Sequence, residues 1–436
     1  MKTKLKKFLT REYITKAIVS AGLLALLLLS FLFADKLEVA LKMTTAYRRN
    51  QVSVSALDGS GYKVTYIDVG QGNCTLIEMS DGTVALIDGG NAMYGESVYK
   101  FLQQKGINTI DIMIATHADA DHIGGLNYLF PLMDIKRVYR PFQIAGNGTS
   151  LETFVPIESE DLADVYNSLK TDPNNKVSRV TSDIYKQFIT NIYAETYTEN
   201  GQTYDCKVTV FYDGLKVVGS DYTFEFFAPL LRNESINLRN YGETYGFATM
   251  GFGVGNSNDN SAIFTFTCGT NSYLFTGDAT FDSEDSSGAE FVFVNSLTVA
   301  EKNKLAGVTV YLAGHHGSDS SSSTALLNII KPKFVVVSVA EKNDYGHPHE
   351  QTLQRIAATK GLEQDFLLCT DVYGSVVFGE IDGRVAYASY KVDNRNQKMI
   401  SYELFATIIY VCVVVIIFSV KPKKSADDKF IDTESK

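Results

Sequence analysis

The sequence predicts an α/β fold, in which strands alternate with helices. Short apolar runs with strand composition recur between about residues 62 and 339. Helix-like segments cover residues 97–105 and 323–330. Polar residues cluster directly after five of the predicted strands. Strands that alternate with helices and deliver polar groups at their ends are typical of layered α/β domains.

The predicted elements follow in order along the chain. Asp81-Gly82 separates two apolar runs and predicts a hairpin, and Gly106 ends an amphipathic run of helical period. The predicted strands cover residues 62–69, 74–79, 84–88, 110–115, 222–229, 261–268, 272–275, 308–313 and 334–339.

The segment from about 142 to 245 has a different composition. It is rich in Asn, Thr, Ser, Tyr and Glu, with a helical pattern only at 162–169 and a strand pattern only at 207–212, before the strand at 222–229. We expect a polar insertion or a set of long loops here.

Composition limits the classes of function. The chain has 436 residues, 45% of them hydrophobic, and a net charge of −10. This composition supports a packed core, while the overall field does not attract nucleic acid or anionic lipid unless metal ions or local basic groups reverse it. Five cysteines are widely spaced without a CxxC pair, which excludes a disulfide framework or zinc knuckle. They are expected to be buried small apolar residues.

Both ends of the chain carry an apolar run next to basic residues. Residues 17–34 follow a basic tail at 1–16, and residues 403–420 precede Lys421, Lys423 and Lys424. Each run approaches the length that crosses a bilayer, and basic flanks mark the cytoplasmic side. The sequence therefore predicts two transmembrane helices, a linker at 35–60, an extracytoplasmic domain at 61–392 and a cytoplasmic tail at 421–436. A cleaved signal peptide is the alternative for the first run.

All six histidines lie in three short motifs. These are Thr116 to Gly125 (THADADHIGG), Gly314 to Ser318 (GHHGS) and Tyr345 to His349 (YGHPH). Histidine is the commonest metal ligand, and Asp278 and Asp88 end two further strands. Imidazoles and carboxylates that converge on one or two divalent ions can lower the pKa of a water toward neutrality. The pattern predicts one hydrolytic metal site, with Asp88 orienting a ligand.

These motifs resemble the metallo-β-lactamase-fold hydrolases and, within them, the ComEC-type competence family. The resemblance covers about residues 62–390 and includes Ile67 to Gly72, Leu86 to Gly90 and Leu274 to Asp278 besides the histidine motifs. It implies a four-layer αββα sandwich with the metal site at one edge of two sheets. Asp68 lies in the first of these motifs and is expected, like Asp88, to support the ligands.

The resemblance also implies a ligand set. His117 and Asp119 would hold the first ion, Asp121 and His122 the second, and Asp278 would bridge them. Either His315 or His316 would complete the second site. Asp121, His347 and His349 are the expected catalytic groups, and the last two would act as phosphate contact or general acid.

Two departures from the superfamily pattern shift the expected metal chemistry. Asp119 replaces a histidine of the usual first motif, and the Asn-rich residues 255–261 stand where another histidine is usual. Oxygen-richer sites suit Mn²⁺ better than an all-nitrogen site does, so both Zn²⁺ and Mn²⁺ remain candidates, with one ion or two.

An anion site is expected beside these ligands. Gly317, Ser318 and the start of the helix near Ser323 offer backbone N–H groups to a phosphate. A flexible Ser-rich loop is the alternative.

Three functions are weighed. The first is an extracytoplasmic metal-dependent phosphodiesterase or nuclease, with single-stranded DNA as a candidate substrate and a separate DNA-uptake protein as a candidate partner. The second is a hydrolase of a small ester, thioester, lactone or lactam on the same scaffold. The third is a non-catalytic metal-binding surface protein whose polar insertion binds a partner.

Overall fold

The computed structural model describes residues 16, 18–24, 51–141, 143–145, 179–180, 182–211, 213–228, 257–282, 288–363 and 366–391. Two compact units make up the chain, residues 48–396 and residues 1–47 together with 397–436. In the second unit, residues 16 and 18–24 are helical.

Within the described ranges the strands are β1 Lys63–Tyr66, β2 Thr75–Glu78, β3 Val84–Ile87, β4 Thr109–Ile110, β5 Ile112–Ile114, β6 Asp134–Ile135, β7 Arg137–Arg140, β8 Ile144–Ala145, β9 Arg179–Val180, β10 Thr196–Glu199, β11 Gln202–Asp205, β12 Lys207–Val210, β13 Lys216–Val218, β14 Tyr222–Ala228, β15 Ile263–Cys268, β16 Asn271–Phe275, β17 Val310–Leu312, β18 Phe334–Val337, β19 Leu367–Cys369, β20 Val376–Ile381 and β21 Arg384–Ser389. The α-helices of the larger unit are α1 Gly95–Gln104, α2 Ala120–Leu129, α3 Asp183–Ala194, α4 Ala289–Ser296, α5 Val299–Leu305, α6 Thr324–Ile330, α7 Glu350–Ala357 and α8 Thr370–Tyr373.

Two large mixed sheets form the frame. The first has the strand order β12-β7-β5-β3-β2-β1-β20-β21, and the second runs from β13 to β19 in chain order. β3, β5, β7 and β12 are parallel to one another. β16, β17, β18 and β19 are parallel in the second sheet. Parallel strands end at the same edge of a sheet, so the loops that follow each set lie together.

An aromatic core fills the space between the sheets. Tyr66 of the first sheet and Phe264, Phe275 and Val336 of the second belong to one buried set. The rings of Phe264 and Phe275 stack with centroids 5.0 Å apart. β5 and β18 are buried on both faces, which explains their near-continuous apolar runs.

Helices cover both outer faces of this sandwich. On the first sheet, α1, α2 and α3 bury Val98, Leu126 and Phe188 against residues that include Leu86 and Met113. On the second, Val335 and Val337 face away from the inter-sheet core and are fully buried. The helix α6 lies on this side with α4, α5 and α7 around it. The predicted α/β fold with four layers is confirmed.

The polar segment at 142–245 was only partly predicted, and the structure corrects it. The helix α3 buries Tyr185 and Phe188 completely in the first helical layer. The strand β12 is the edge of the first sheet, and β13 and β14 begin the second. Residues 182–228 therefore belong to the fold itself, because exposed polar faces on edge strands and a surface helix mask the apolar period. The predicted helix at 162–169 lies outside the described residues.

The predicted linker at 35–60 also ends earlier than expected. Val52 N donates to the Tyr387 carbonyl at 2.8 Å. Leu57 is fully buried against Val377 and Ala388. The compact domain therefore includes residues 51–60.

The two predicted membrane spans lie at the two ends of the chain. Among the described residues, no helix combines the length and the apolarity that a bilayer crossing requires. The predicted span at 403–420 lies outside these residues, and the one at 17–34 is described only at 18–24, which are helical.

Candidate metal centre

Asp88, directly after β3, joins the loops that follow two neighbouring strands. Its Oδ1 accepts a hydrogen bond from Thr116 N at 2.8 Å, and its Oδ2 accepts one from Thr116 Oγ1 at 2.8 Å. Oδ2 also lies 2.8 Å from Nδ1 of His122. Because Nδ1–H of His122 donates to this carboxylate, Nε2 is left as the lone-pair nitrogen. Asp88 therefore orients the ring of His122.

Two glycine pairs let the helix α2 approach the loop after β3. A Cβ on Gly125 would lie 1.9 Å from the carbonyl oxygen of Gly89. Gly89 N donates to the carbonyl of His122 at 2.7 Å, and Gly125 N donates to Gly90 O at 2.8 Å. No side chain fits this contact, which places Asp121 and His122 in the first turn of α2 beside Asp88.

Asp278 is the centre of the site. Its Oδ1 lies 3.2 Å from Nε2 of His122. Its Oδ2 lies 3.4 Å from Nε2 of His316 and 3.8 Å from Nε2 of both His117 and His315. The strand β16 delivers this carboxylate from the second sheet, while α2 and the loop after β5 deliver His122 and His117 from the first. The site thus spans the edge of the sandwich.

His316 is also held with one nitrogen facing the carboxylates. Its Nδ1 donates to the carbonyl of Ser338 at 3.1 Å. Its Nε2 lies 3.2 Å from Oδ2 of Asp121. The side chain is 2% exposed, against 25% for His315. Of the two candidate ligands, His316 has the geometry of a buried, oriented imidazole.

The buried polar atoms at this centre fit a divalent cation. Nε2 of His117, His122 and His316 and Oδ1 of Asp278 are buried without a well-aligned hydrogen bond. Buried polar groups in proteins are normally paired, so several unpaired acceptors that face one point indicate a bound ion. Two groups with ligand atoms close together are His117 with His122 and Asp278, and Asp121 with His122 and His316. Because Nδ1 of His122 is bonded to Asp88, this ring can serve one ion only.

The charges at the centre favour a cation as well. Burial would raise the pKa of Asp278, but the imidazoles of His122 and His316 hold that pKa well below its usual value. Burial likewise opposes ionisation of Asp121, yet His316 and His122 lower the Asp121 pKa to about 2. Burial disfavours charge on His316, but Asp278 and Asp121 raise its pKa to about 9. Without metal, protons on imidazoles balance the buried carboxylates, and a metal ion would replace them.

Asp119 lies at the open side of the centre, next to the buried His117. Oδ2 of Asp119 is 3.6 Å from Nε2 of His117. The Asp119 side chain is 43% exposed, whereas that of His117 is fully buried. Burial would raise the pKa of Asp119, but His117 lowers this pKa through a hydrogen bond and its charge. Asp119 is within reach of an ion bound to His117, and its role as a ligand stays a prediction.

The loop after β17 holds its two histidines in an unusual backbone conformation. His315 has φ 48° and His316 has φ 53°. Left-handed conformations in residues other than glycine cost of order 1–3 kcal/mol each and concentrate at functional sites. Burial, reinforced by the neighbouring His316, lowers the pKa of His315 although Asp278 opposes this.

The third motif places its two histidines differently. The ring of His347 lies 5.5 Å from the ring of His315 and beside the centre. Burial, together with the charges of His315 and His316, lowers the pKa of His347 to about 4. His349 instead accepts a hydrogen bond from Asp319 N at 2.8 Å through Nδ1, and its Nε2 lies 3.2 Å from the carbonyl of Tyr345. Both ring nitrogens of His349 are therefore engaged with backbone groups. The predicted catalytic role of His349 stays a prediction.

The start of α6, where an anion site is expected, already lies against a carboxylate of the protein. The carboxylate of Glu290 accepts hydrogen bonds from Ser322 N at 2.8 Å and Ser323 N at 2.7 Å. The side chain of Ser323 caps Leu326 N at 3.1 Å. These three N–H groups are bound within the protein, and a phosphate contact at this helix start stays a prediction.

Three other predicted residues have partners that are now defined. Ser318 N donates to the carbonyl of His315 at 2.8 Å, and Ser318 Oγ accepts from Ser320 N at 3.3 Å. The Gly317 carbonyl accepts from His349 N at 2.9 Å. Oδ2 of Asp68 lies 3.5 Å from Nζ of Lys391, outside the ligand set. The predicted phosphate contacts of Gly317 and Ser318 and the supporting role of Asp68 stay predictions.

Several residues of the site were not predicted from the sequence. Thr116 fixes its own loop by a hydrogen bond to Asp88, and the Ser338 carbonyl fixes the ring of His316. Gln71 lies 3.2 Å from the ring of His347. Thr116 lies inside the first histidine motif, which is a usable signal. Gln71 lies in the Ile67 to Gly72 motif but is 276 residues from His347, and Ser338 is 22 residues from His316, so the packing of the two sheets is needed to reveal these contacts.

The comparisons with known proteins agree with this architecture. Residues 67–144 match the sequence profile of the metallo-β-lactamase superfamily. The matched residues include Asp88 and the whole first histidine motif. The resemblance to the ComEC-type competence family is confirmed by relatives of which one is named a competence protein.

Those relatives are much longer than the matching region. The chain is 21% identical over 309 residues to ComE operon protein 3 of Bacillus subtilis, which covers 67% of this chain and 30% of that protein. It is 41% identical over 70 residues to competence protein ComA of Neisseria gonorrhoeae, covering 16% of this chain and 10% of that protein. The chain therefore spans under a third of the length of these curated relatives.

A solved structure with a similar fold is also known. The metallo-β-lactamase fold protein YhfI from Bacillus subtilis aligns with a TM-score of 0.35 and 10% identity, over 75% of this chain and 99% of that chain.

Proposed function

We propose that this chain is a metal-dependent phosphodiesterase with single-stranded DNA as its first candidate substrate. The observation that carries the proposal is the convergence of His117, His122 and His316 on Asp278, with their Nε2 atoms buried and unpaired and with Asp121 beside His316. Ionised carboxylates and neutral imidazoles around one open side are the donor set of hydrolytic metal centres.

The geometry supports the ligand assignment that the resemblance implies. His117 and Asp119 would hold one ion, and Asp121, His122 and His316 a second, with Asp278 between them. Either Zn²⁺ or Mn²⁺ suits this mixture of nitrogen and oxygen donors. Such an ion, when bound, supplies Lewis acidity and lowers the pKa of a water molecule. Asp88 and the Ser338 carbonyl keep the two rings oriented, which is the usual task of partners behind metal ligands.

A phosphodiester substrate is supported by the comparisons, in which one relative is named a competence protein. The net charge of the whole chain, −10, does not attract DNA, so affinity must come from the metal ions and from groups at the site.

The placement of the domain is part of the proposal. The apolar runs at 17–34 and 403–420, each beside basic residues at an outer end, support two spans with the domain outside the cytoplasm. Protease treatment of intact cells, with and without permeabilisation, tests this. Protection of the domain in intact spheroplasts would overturn the proposed orientation.

Activity is tested with the full chain, loaded with Mn²⁺ or Zn²⁺, on single-stranded DNA, bis-p-nitrophenyl phosphate and a β-lactam. We expect cleavage of both phosphodiesters, lost in Asp121→Ala. Asp183→Ala is a matched control, because that carboxylate is fully exposed on α3, where it pairs with Lys186 at 3.1 Å. Absence of phosphodiester cleavage, or cleavage indifferent to Asp121→Ala, overturns the proposal. Hydrolysis of the lactam alone supports the small-ester or lactam alternative.

A further inference from the structure

His347 is held firmly at the open side of the metal centre. Its backbone N–H donates to Oδ1 of Asn343 at 2.9 Å, and Nδ2 of Asn343 donates to its carbonyl at 2.7 Å. The ring of Tyr345 stacks on the imidazole with centroids 5.6 Å apart. One amide side chain thus fixes both backbone polar groups of His347, and a neighbouring ring fixes its plane.

Gln71, from the loop between β1 and β2, determines which nitrogen of this ring carries the proton. Its Nε2 lies 3.2 Å from Nδ1 of His347. An amide N–H can only donate, so Nδ1 accepts through its lone pair and the proton resides on Nε2. Within the described part of the chain, Nε2 of His347 has no hydrogen-bonding partner, and no carboxylate lies within ion-pair distance of the ring.

The orientation of the Gln71 amide has a physical reason. Its Oε1 is buried without a partner. The reversed amide would place two N–H bonds at that position, and buried N–H groups without acceptors are rarer than buried carbonyl oxygens with spare capacity. The amide therefore directs its N–H groups toward His347.

A neutral imidazole with a free Nε2–H can donate a hydrogen bond, but it is a poor general acid. Loss of the Nε2 proton would leave an imidazolate, which is far too basic to form at neutral pH. Groups that carry fixed N–H donors instead stabilise negative charge that develops on substrate oxygens.

We propose that His347 donates a hydrogen bond from Nε2 to a non-bridging phosphoryl oxygen of the substrate. Gln71 and Asn343 are its positioning residues, the first for the tautomer and the second for the backbone. This inference rests on the proposed phosphodiesterase function. It selects phosphate contact over general acid catalysis for this histidine.

The tautomer is tested without activity. Nitrogen-15 NMR of the full chain labelled at histidine, with the His347 signals assigned from their loss in His347→Gln, reports which ring nitrogen is protonated. We expect Nε2 protonated and Nδ1 unprotonated, with Gln71→Glu protonating Nδ1 because a carboxylate accepts a hydrogen bond. Gln103→Glu is the matched control, since Gln103 donates to the Ile107 carbonyl in a half-buried position at the end of α1. A protonated Nδ1 in the unaltered protein overturns the inference.

The role toward substrate is tested with two leaving groups. His347→Ala is compared on bis-p-nitrophenyl phosphate, which has a good leaving group, and on a dinucleotide, which has a poor one. Loss of one fixed donor typically costs about 10²–10³-fold, and we expect similar losses in kcat/KM on both substrates. A loss more than about tenfold larger on the dinucleotide would indicate proton transfer to the leaving oxygen and overturn the proposal.

Two further variants separate positioning from folding. Gln71→Leu is expected to lower kcat/KM by about tenfold with unchanged metal content, and His347→Gln to restore part of the loss seen in His347→Ala, because its amide can still donate. If no phosphodiester is cleaved at all, the proposed function and the substrate contact both fail. The NMR result then still decides the tautomer.

Discussion

Two regions of the site differ in how completely their histidines are held. The floor, defined as His117, His122, Asp278 and His316, is buried, and each of these imidazoles lies within 3.8 Å of the Asp278 carboxylate. The rim, defined as His315, His347 and His349, is partly exposed. In the floor, His122 and His316 have Nδ1 bonded to an oxygen and Nε2 facing the carboxylates.

The rim shows three other arrangements. His315 faces Asp278 from a more exposed position, His347 has Nδ1 occupied by an amide donor, and His349 has both nitrogens bound to backbone. Adjacent histidines of one motif therefore have different tasks, and the partner of each second nitrogen distinguishes them.

The largest effect is expected from the centre of the floor. Asp278→Ala removes the carboxylate that four imidazoles share, so the protein should lose metal and at least about 10³-fold of its activity, more than the roughly 10–100-fold typical of a group behind a ligand. Elemental analysis of the purified protein measures the metal. Full metal occupancy in this variant would disprove the central role of Asp278.

The next effect separates floor from rim within one motif. His316→Ala should lower metal affinity by about 100-fold, and His315→Ala by less than about tenfold, because only His316 is fully buried and oriented by Ser338. Competition with a chelator of known affinity measures both. The reverse order would make His315 the ligand.

Metal affinity should depend on pH because the floor is protonated without metal. The pKa of His316 is raised to about 9, so below that pH an ion must displace a proton. Apparent affinity should rise about tenfold per pH unit for each proton displaced between pH 6 and 9, and level off above it. Affinity that is flat over this range would show that the imidazoles are already neutral.

Protonation of His316, which weakens metal binding, should stabilise the metal-free fold. A histidine whose folded pKa is raised contributes stability that is fully present below its unfolded pKa and lost as pH rises through its folded pKa. The His316 contribution should therefore decline between pH 6.5 and about 9. Thermal unfolding of metal-free protein, with His316→Ala as the comparison, measures this decline.

The smallest effect is expected from the outer rim. His349 lies at the start of α7 and contacts two backbone groups, Asp319 N and the Tyr345 carbonyl. His349→Ala removes these hydrogen bonds and should lower the free energy of unfolding by about 1 kcal/mol. Metal affinity should not change. Denaturant unfolding and metal titration measure the two quantities, and a large loss of affinity would place His349 in the centre.

Much of this site could be predicted because its ligands lie in local motifs. The spacing of His117, Asp119, Asp121 and His122 around a strand end and a helix start is short-range information. Gly125 at the end of this motif contacts Gly89 after β3, a contact that the sequence alone did not show. The sequence did not show that Glu290, 33 residues before Ser323 in the chain, accepts hydrogen bonds from Ser322 N and Ser323 N at the start of α6.

The fold was predictable where strands are buried on both faces. β3, β5, β15 and β18 have apolar runs that need no knowledge of their neighbours. α3 and β12 were hidden in a polar segment, since a helix or edge strand with one exposed face carries a weaker pattern. Their place became clear only from burial against the first sheet.

By itself, the sequence determined the α/β class, the metal-binding character of the strand ends and the residue types of the ligands, because these depend on local period and chemistry. Only the tertiary structure decided how each histidine ring is oriented and which of them are buried against the Asp278 carboxylate. That choice depends on the partner of the other ring nitrogen, and those partners, Asp88, Ser338 and Gln71, come from distant segments. The six histidines are thus equivalent as residues and become distinct through the contacts that the folded sandwich provides.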